Sequence, residues 1–245
     1  MRLEQKIRAA AIPGALLVAW LFHQWPTGHM LQRTFLSMII HELGHAVTGW
    51  WCGFAAIPGL WKTLVPEARS AVWILVTALC AGLVALGWRK QRWWLVIAGL
   101  TLAALELYAH DLELEVAQQW VTFGGDGGAM VLGTALMASF FIPKLAEHGL
   151  RWGLLSIGAA AFVDTFATWW TARSDTDAIP FGEIEGVGLS DPSKLKDVYG
   201  WSTEHLVHHY VVLGVGCLVA LTVVYAWQLR EVATQSGDVS NNPAA

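Results

Sequence analysis

Positions 41 to 45 read His41-Glu42-Leu43-Gly44-His45, two imidazoles four residues apart with a carboxylate next to the first. On a helix, residues i and i+4 share one face, so both histidines can offer a ring nitrogen to one zinc ion while Glu42 stands beside it. Zinc held this way lowers the pKa of its water towards about 7, and Glu42 can take the proton as general base. The surrounding run is apolar. An ionised group at the middle of a bilayer costs roughly 2–3 kcal/mol or more, so a ligand or an internal cavity is the natural reason for three polar side chains there. The competing reading is that these groups satisfy one another between helices.

A catalytic zinc site takes three protein ligands and keeps a fourth position open. Asp126, in Phe123-Gly124-Gly125-Asp126-Gly127-Gly128, is the first candidate for the third. Its glycines are expected to let the backbone approach closely and to break the helix where the carboxylate turns inward. The same aspartate can instead be the N-cap of the helix that follows. Asp164 lies deep in another apolar run. It is a further candidate ligand, a partner to a histidine N–H, or a neutral hydrogen-bonded acid, and pairing is preferred over ligation. In Glu204-His205-Leu206-Val207-His208-His209, the His205 and His209 rings have helical i, i+4 spacing. They can bind a second metal, reach the first site, or lie wet at a segment end with no metal role. His110 and Asp111, at the end of the fourth run, are a weaker candidate still, and Asp111, Glu113 and Glu115 read as a solvated loop.

The first motif, His41 to His45 followed by Ala46, Val47, Gly49 and Gly53, resembles the zinc motif of the site-2 protease family of intramembrane metalloproteases. Gly125-Asp126-Gly127-Gly128 is similar to that family's second motif, in which an aspartate before glycine is the third zinc ligand. The resemblance implies a helical membrane core, one Zn2+ per chain held by His41, His45 and Asp126, and hydrolysis of a peptide bond in a membrane-associated protein. Where the family carries Asn-Pro or Leu before the aspartate, this chain has Gly124 and Gly125. Two apolar segments separate the motifs instead of one, and no peptide-binding domain is inserted. The histidine groups 41/45 and 205/208/209 also resemble two boxes of the membrane di-iron desaturases and hydroxylases, the alternative enzyme class. A non-catalytic metal-binding membrane protein is the third reading.

The elements that must position these residues follow from composition. Of 245 residues 55% are apolar and 14% charged, with 15 tryptophans and a mean hydropathy of +0.47. Soluble domains carry about 25% charge, so lipid is the expected surroundings, and disorder or a disulfide scaffold is excluded. A net charge of -4 gives no surface for nucleic acid. The fold class expected is all-α, a polytopic helical membrane protein with about six to seven transmembrane helices. Apolar runs fall at 9–25, 31–51, 71–88, 93–108, 127–142, 153–170 and 206–227. The first is the weakest; it follows a basic start and lacks a small-residue cleavage site, so an uncleaved anchor is expected. Tryptophans at most segment ends, among them Trp25, Trp88, Trp93, Trp169, Trp170 and Trp227, suggest headgroup belts.

Residues 1–235 are read as one integral membrane domain and 236–245 as a disordered tail. Residues 173–204 form the one clearly polar stretch, expected on one membrane face, where they can gate a site. Residues 53–69, with Pro58, Gly59 and Pro66, suggest a re-entrant hairpin or interfacial turn. If all seven runs cross, eight basic residues fall on one side and seven on the other, so the positive-inside rule assigns no orientation. The cell membrane is the expected location, a membrane protein or peptide the expected partner.

Overall fold

A computed structural model describes residues 3–147, 149–184 and 188–241, with side chains described up to residue 230. The chain is all-α. Its helices are α1 (Leu3–Gln24), α2 (Pro26–Gln32), α3 (Met38–Trp51), α4 (Val72–Arg89), α5 (Trp93–Asp111), α6 (Leu114–Ala138), α7 (Pro143–Glu147), α8 (Leu150–Thr171), α9 (Asp191–Ser193) and α10 (Thr203–Asn241). The described strands are two residues each, β1 (Glu183–Ile184) and β2 (Gly188–Leu189), paired antiparallel with Glu183 opposite Leu189. Five helical stretches are long and apolar enough to cross a membrane: Glu4–Gln24, Val72–Arg89, Trp93–Asp111, Leu150–Thr171 and Thr203–Arg230. The protein is thus a polytopic helical membrane protein.

The other two expected spans are parts of longer helices that carry the polar residues. A π-helical turn at Arg33–Ser37 joins α2 to α3, so residues 26–51 run helically without a gap. Helix α6 starts thirteen residues before the apolar run at 127–142 and ends at Ala138 within it. Its first turns place Ala117 and Val121 inward and Glu115 and Trp120 outward, an amphipathic pattern that a search for uniform apolarity passes over. Helix α10 continues to Asn241, into the stretch read from composition as a tail, while residues 242–245 lie outside those described.

The chain divides into two compact units, residues 1–40, 129–179 and 202–245 in the first and 41–128 with 180–201 in the second. In the first unit, α8 is the most enclosed span, with half of its apolar window buried against about a fifth in the others. Ala159, Ala160 and Ala161 make that possible, and Ile40, Ala129 and Ala161 form one cluster of its core. Trp169 departs from the belt expectation. It is fully buried and stacked on Tyr210 at 4.1 Å, whereas Trp25, Trp88, Trp93, Trp170 and Trp227 are exposed. Its neighbour Trp170 points the other way because successive helical residues diverge by about 100°.

In the second unit, α3 ends where Gly53 takes φ +85°, a left-handed position that glycine adopts without strain. Gly53 N–H donates to Trp50 O and Phe54 N–H to Gly49 O, the Schellman closure of a helix. Ile57 and Leu64 then exchange both backbone bonds at 2.9 Å, so residues 53–69 do contain a hairpin. Thr63 Oγ1 ties it to α3 by donating to Glu42 O at 2.7 Å. Cys52, Phe54, Ala109, Ala117 and Val121 form the core that joins the ends of α3, α5 and α6. Arg69 closes the same corner by donating to His110 O and Leu112 O, both at 2.6 Å.

Candidate metal centre

His41 and His45 project from one face of α3 towards α6, and their rings meet edge to face with centroids 4.8 Å apart. Glycine makes the approach of the two helices possible. A Cβ on Gly44 would strike Gly124 O and lie 2.9 Å from Gly125 O; one on Gly125 would lie 2.5 Å from His45 Nε2 and 2.6 Å from His41 Cε1. The Gly-Gly-Asp-Gly-Gly stretch therefore does not break α6 and Asp126 is not its N-cap, since both lie in the middle of the helix. A lipid environment rewards kept backbone hydrogen bonds, and the glycines serve packing of small residues between helices instead.

Each imidazole is held by one nitrogen and directed by the other. Asp126 Oδ1 lies 3.0 Å from His41 Nδ1, and Val121 O accepts from His45 Nδ1 at 2.7 Å. A carbonyl only accepts, so His45 carries its hydrogen on Nδ1, and the carboxylate favours the same tautomer for His41. The two Nε2 atoms then face each other at 3.2 Å.

Asp191 completes the group. Its Oδ2 lies 3.1 Å from His41 Nε2 and 3.0 Å from His45 Nε2. Burial opposes its charge, yet His45 and His41 beside it hold the carboxyl far below the usual carboxylate range. Asp191 opens the short helix α9, for which Ser190 is the N-cap and Pro192 sits in the first turn. Ser193 Oγ accepts from Gly182 N–H at 2.8 Å, fixing α9 to the preceding strand pair. The far end of the polar segment is anchored on α6, where Trp201 Nε1 donates to Gln119 Oε1 at 2.9 Å and its ring lies 5.9 Å from Phe123.

Asp191 is the residue that sequence reading missed. The Ser190-to-Ser193 capping pattern predicts a turn there, but nothing in it aims the carboxylate at α3. His41, His45 and Asp191 form a group whose donor atoms could hold one metal ion. Their separations of 3.0–3.2 Å fit the roughly 3.3 Å between ligands bonded tetrahedrally at about 2.0–2.1 Å.

Glu42 is buried next to His41 on the same helix. Asp126 is buried on the Nδ1 side of His41, away from the converging Nε2 atoms. Asp164 has no exposed surface and pairs with His29 and Arg33 in the first unit. His205, His208 and His209 are exposed on the first turns of α10, where the His205 and His209 rings stack at 4.0 Å. His148 lies outside the described residues. No protein-family model, curated protein or solved structure matches this chain.

Proposed function

We propose that the protein is an intramembrane zinc metalloprotease of site-2 protease type, multi-pass in the cell membrane, acting on a membrane-associated protein or peptide. The observation that carries the reading is the convergence of His41 Nε2, His45 Nε2 and Asp191 Oδ2 beside a buried glutamate. His41, His45 and Asp191 would hold Zn2+, with Asp126 and Val121 O fixing the ring orientations from behind. The metal would supply Lewis acidity, polarising a carbonyl and acidifying water.

The chain's own residues do the rest. Glu42 takes a proton from water as general base and returns it to the leaving amine. Its burial keeps bulk water away and strengthens its interaction with nearby positive charge. A helical substrate hides its carbonyls in i to i-4 hydrogen bonds, so it must unwind locally before Glu42 can act. Asp191 enters on the polar segment, so that segment supplies one of the three donors and its anchoring on α6 through Trp201 keeps the donor in place.

Two groups of two histidines and one aspartate occur among the described residues, fewer histidines than the boxes of the di-iron enzymes bring together, which favours the peptidase. The test is Glu42→Gln in purified protein. Bound zinc is expected to stay at the wild-type level while cleavage of a transmembrane reporter peptide falls at least 10²-fold, within the about 10²–10⁴-fold range of general-base catalysis. Full proteolysis by the variant would overturn the mechanism.

A further inference from the structure

The first unit contains a second group of two histidines and one aspartate that the proposed reaction leaves unused. His23 stands in the last turn of α1 and His29 in α2, on either side of the break at Trp25 and Pro26, and Asp164 lies inside α8. In sequence these histidines look dispersed. In the fold their rings lie 4.3 Å apart, over a carboxylate with no exposed surface.

The two oxygens of Asp164 have different surroundings. Oδ2 is bound by Arg33 Nη1 at 3.1 Å. Oδ1 accepts from His29 Nε2 at 2.8 Å. It also faces His23 Nδ1 at 3.8 Å, too far for a hydrogen bond. That His23 nitrogen is buried and has no hydrogen-bond partner. Buried polar atoms are met by protein, water or an ion in the great majority of cases, and an orphan aimed at a carboxylate marks a place for one.

A plain buried ion pair explains Arg33 and one histidine. The second imidazole faces the same oxygen at 3.8 Å, outside hydrogen-bond reach, with its buried nitrogen unmatched. The three donor atoms lie within 4.8 Å of one another. The two separations from Asp164 Oδ1, 2.8 and 3.8 Å, bracket the roughly 3.3 Å between tetrahedral ligands of a zinc-sized ion. Two imidazoles and a carboxylate suit first-row divalent metals such as zinc. Arg33 keeps 36% of its side chain accessible, so its charge can extend outward while its fork holds Oδ2.

We propose that His23, His29 and Asp164 bind a second divalent transition-metal ion of the zinc class, with Arg33 orienting the carboxylate. The ion ties α1, α2 and α8 together across the break between the first two helices. Its function is structural, and it makes the metal content two per chain where the sequence motif alone implies one.

The test is zinc content of the purified full chain after loading with zinc and dialysis. Wild type is expected to hold two ions, His29→Gln one, His41→Gln one and the double variant none. Glutamine at 29 keeps a donor for Asp164 but is a poor ligand. His23→Gln is the second variant, since His23 Nδ1 makes no hydrogen bond to lose; it too should remove one ion. An unchanged zinc count in both His29→Gln and His23→Gln overturns the proposal. One ion in wild type that disappears only with His41→Gln refutes this site and leaves the peptidase centre standing. One ion that disappears only with His29→Gln or His23→Gln supports this site and removes the metal from the peptidase reading.

Discussion

Asp126 Oδ1 lies 3.0 Å from Nδ1 of His41, on the opposite edge of the ring from the Nε2 that meets Asp191. An aspartate so placed sets the tautomer and angle of an imidazole and raises its basicity without touching what the imidazole binds.

Asp126→Asn is therefore expected to weaken zinc binding about 10–100-fold, the usual effect of losing a carboxylate behind a ligating histidine. Asp191→Ala removes a donor outright and should weaken it more. Competition with a chromophoric chelator gives both affinities, and a larger loss in Asp126→Asn would exchange the two roles.

Gly125→Ala tests the packing of α6 on α3. The added methyl meets His45 Nε2 at 2.5 Å and His41 Cε1 at 2.6 Å, and overpacking of this kind costs about 1–3 kcal/mol. Gly82→Ala meets nothing within 4 Å and should gain up to about 1 kcal/mol from helix propensity. Thermal unfolding in detergent, read beside zinc content, should show loss of both quantities in the first variant and of neither in the second.

These two sites show how far the sequence reached. The His41 and His45 pair was legible because i, i+4 spacing has one meaning on a helix. The role of the glycines was half legible: close approach follows from their size, but the expected helix break did not occur, because backbone bonds in a low-dielectric setting are not surrendered to a weak propensity. Asp191 was not legible, since its position depends on how the polar segment returns to α6 through Trp201 and Gln119, and no local pattern encodes that path. Trp169 misled for a related reason, as tryptophan at a segment end marks a headgroup layer only when it faces outward.

Trp201→Phe removes the indole N–H that donates to Gln119 and keeps most of the ring contact with Phe123. The loss is expected to be about 0.5–1.5 kcal/mol of docking energy for the polar segment. Zinc should dissociate several-fold faster, and residues 180–201 should be cut sooner in limited proteolysis. Equal dissociation rates in variant and wild type would separate the anchor from the centre.

Burial pushes the Cys52 thiol up to about 11, against the pull of Arg69. A folded pKa above the unfolded value of about 8.5 means that the neutral thiol stabilises the fold fully below that pH. The contribution is lost as pH rises through about 11. In a chain carrying Cys80→Ala and Cys217→Ala, alkylation of Cys52 by a water-soluble maleimide should stay slow at pH 9 and quicken only in denaturant. Rapid labelling of the native chain at pH 9 would contradict its burial.

The docking of α9 against α3 also has a consequence in time. Ribosomes deliver the two histidines with the third helical element, whereas Asp191 follows only after α8 has been made. Until then the nascent chain offers two imidazoles and no carboxylate from the polar segment. The proposed centre thus completes its donor set with one of the last-made segments of the chain, after α8 and before α10, so the group forms only once nearly all of the helices have been made.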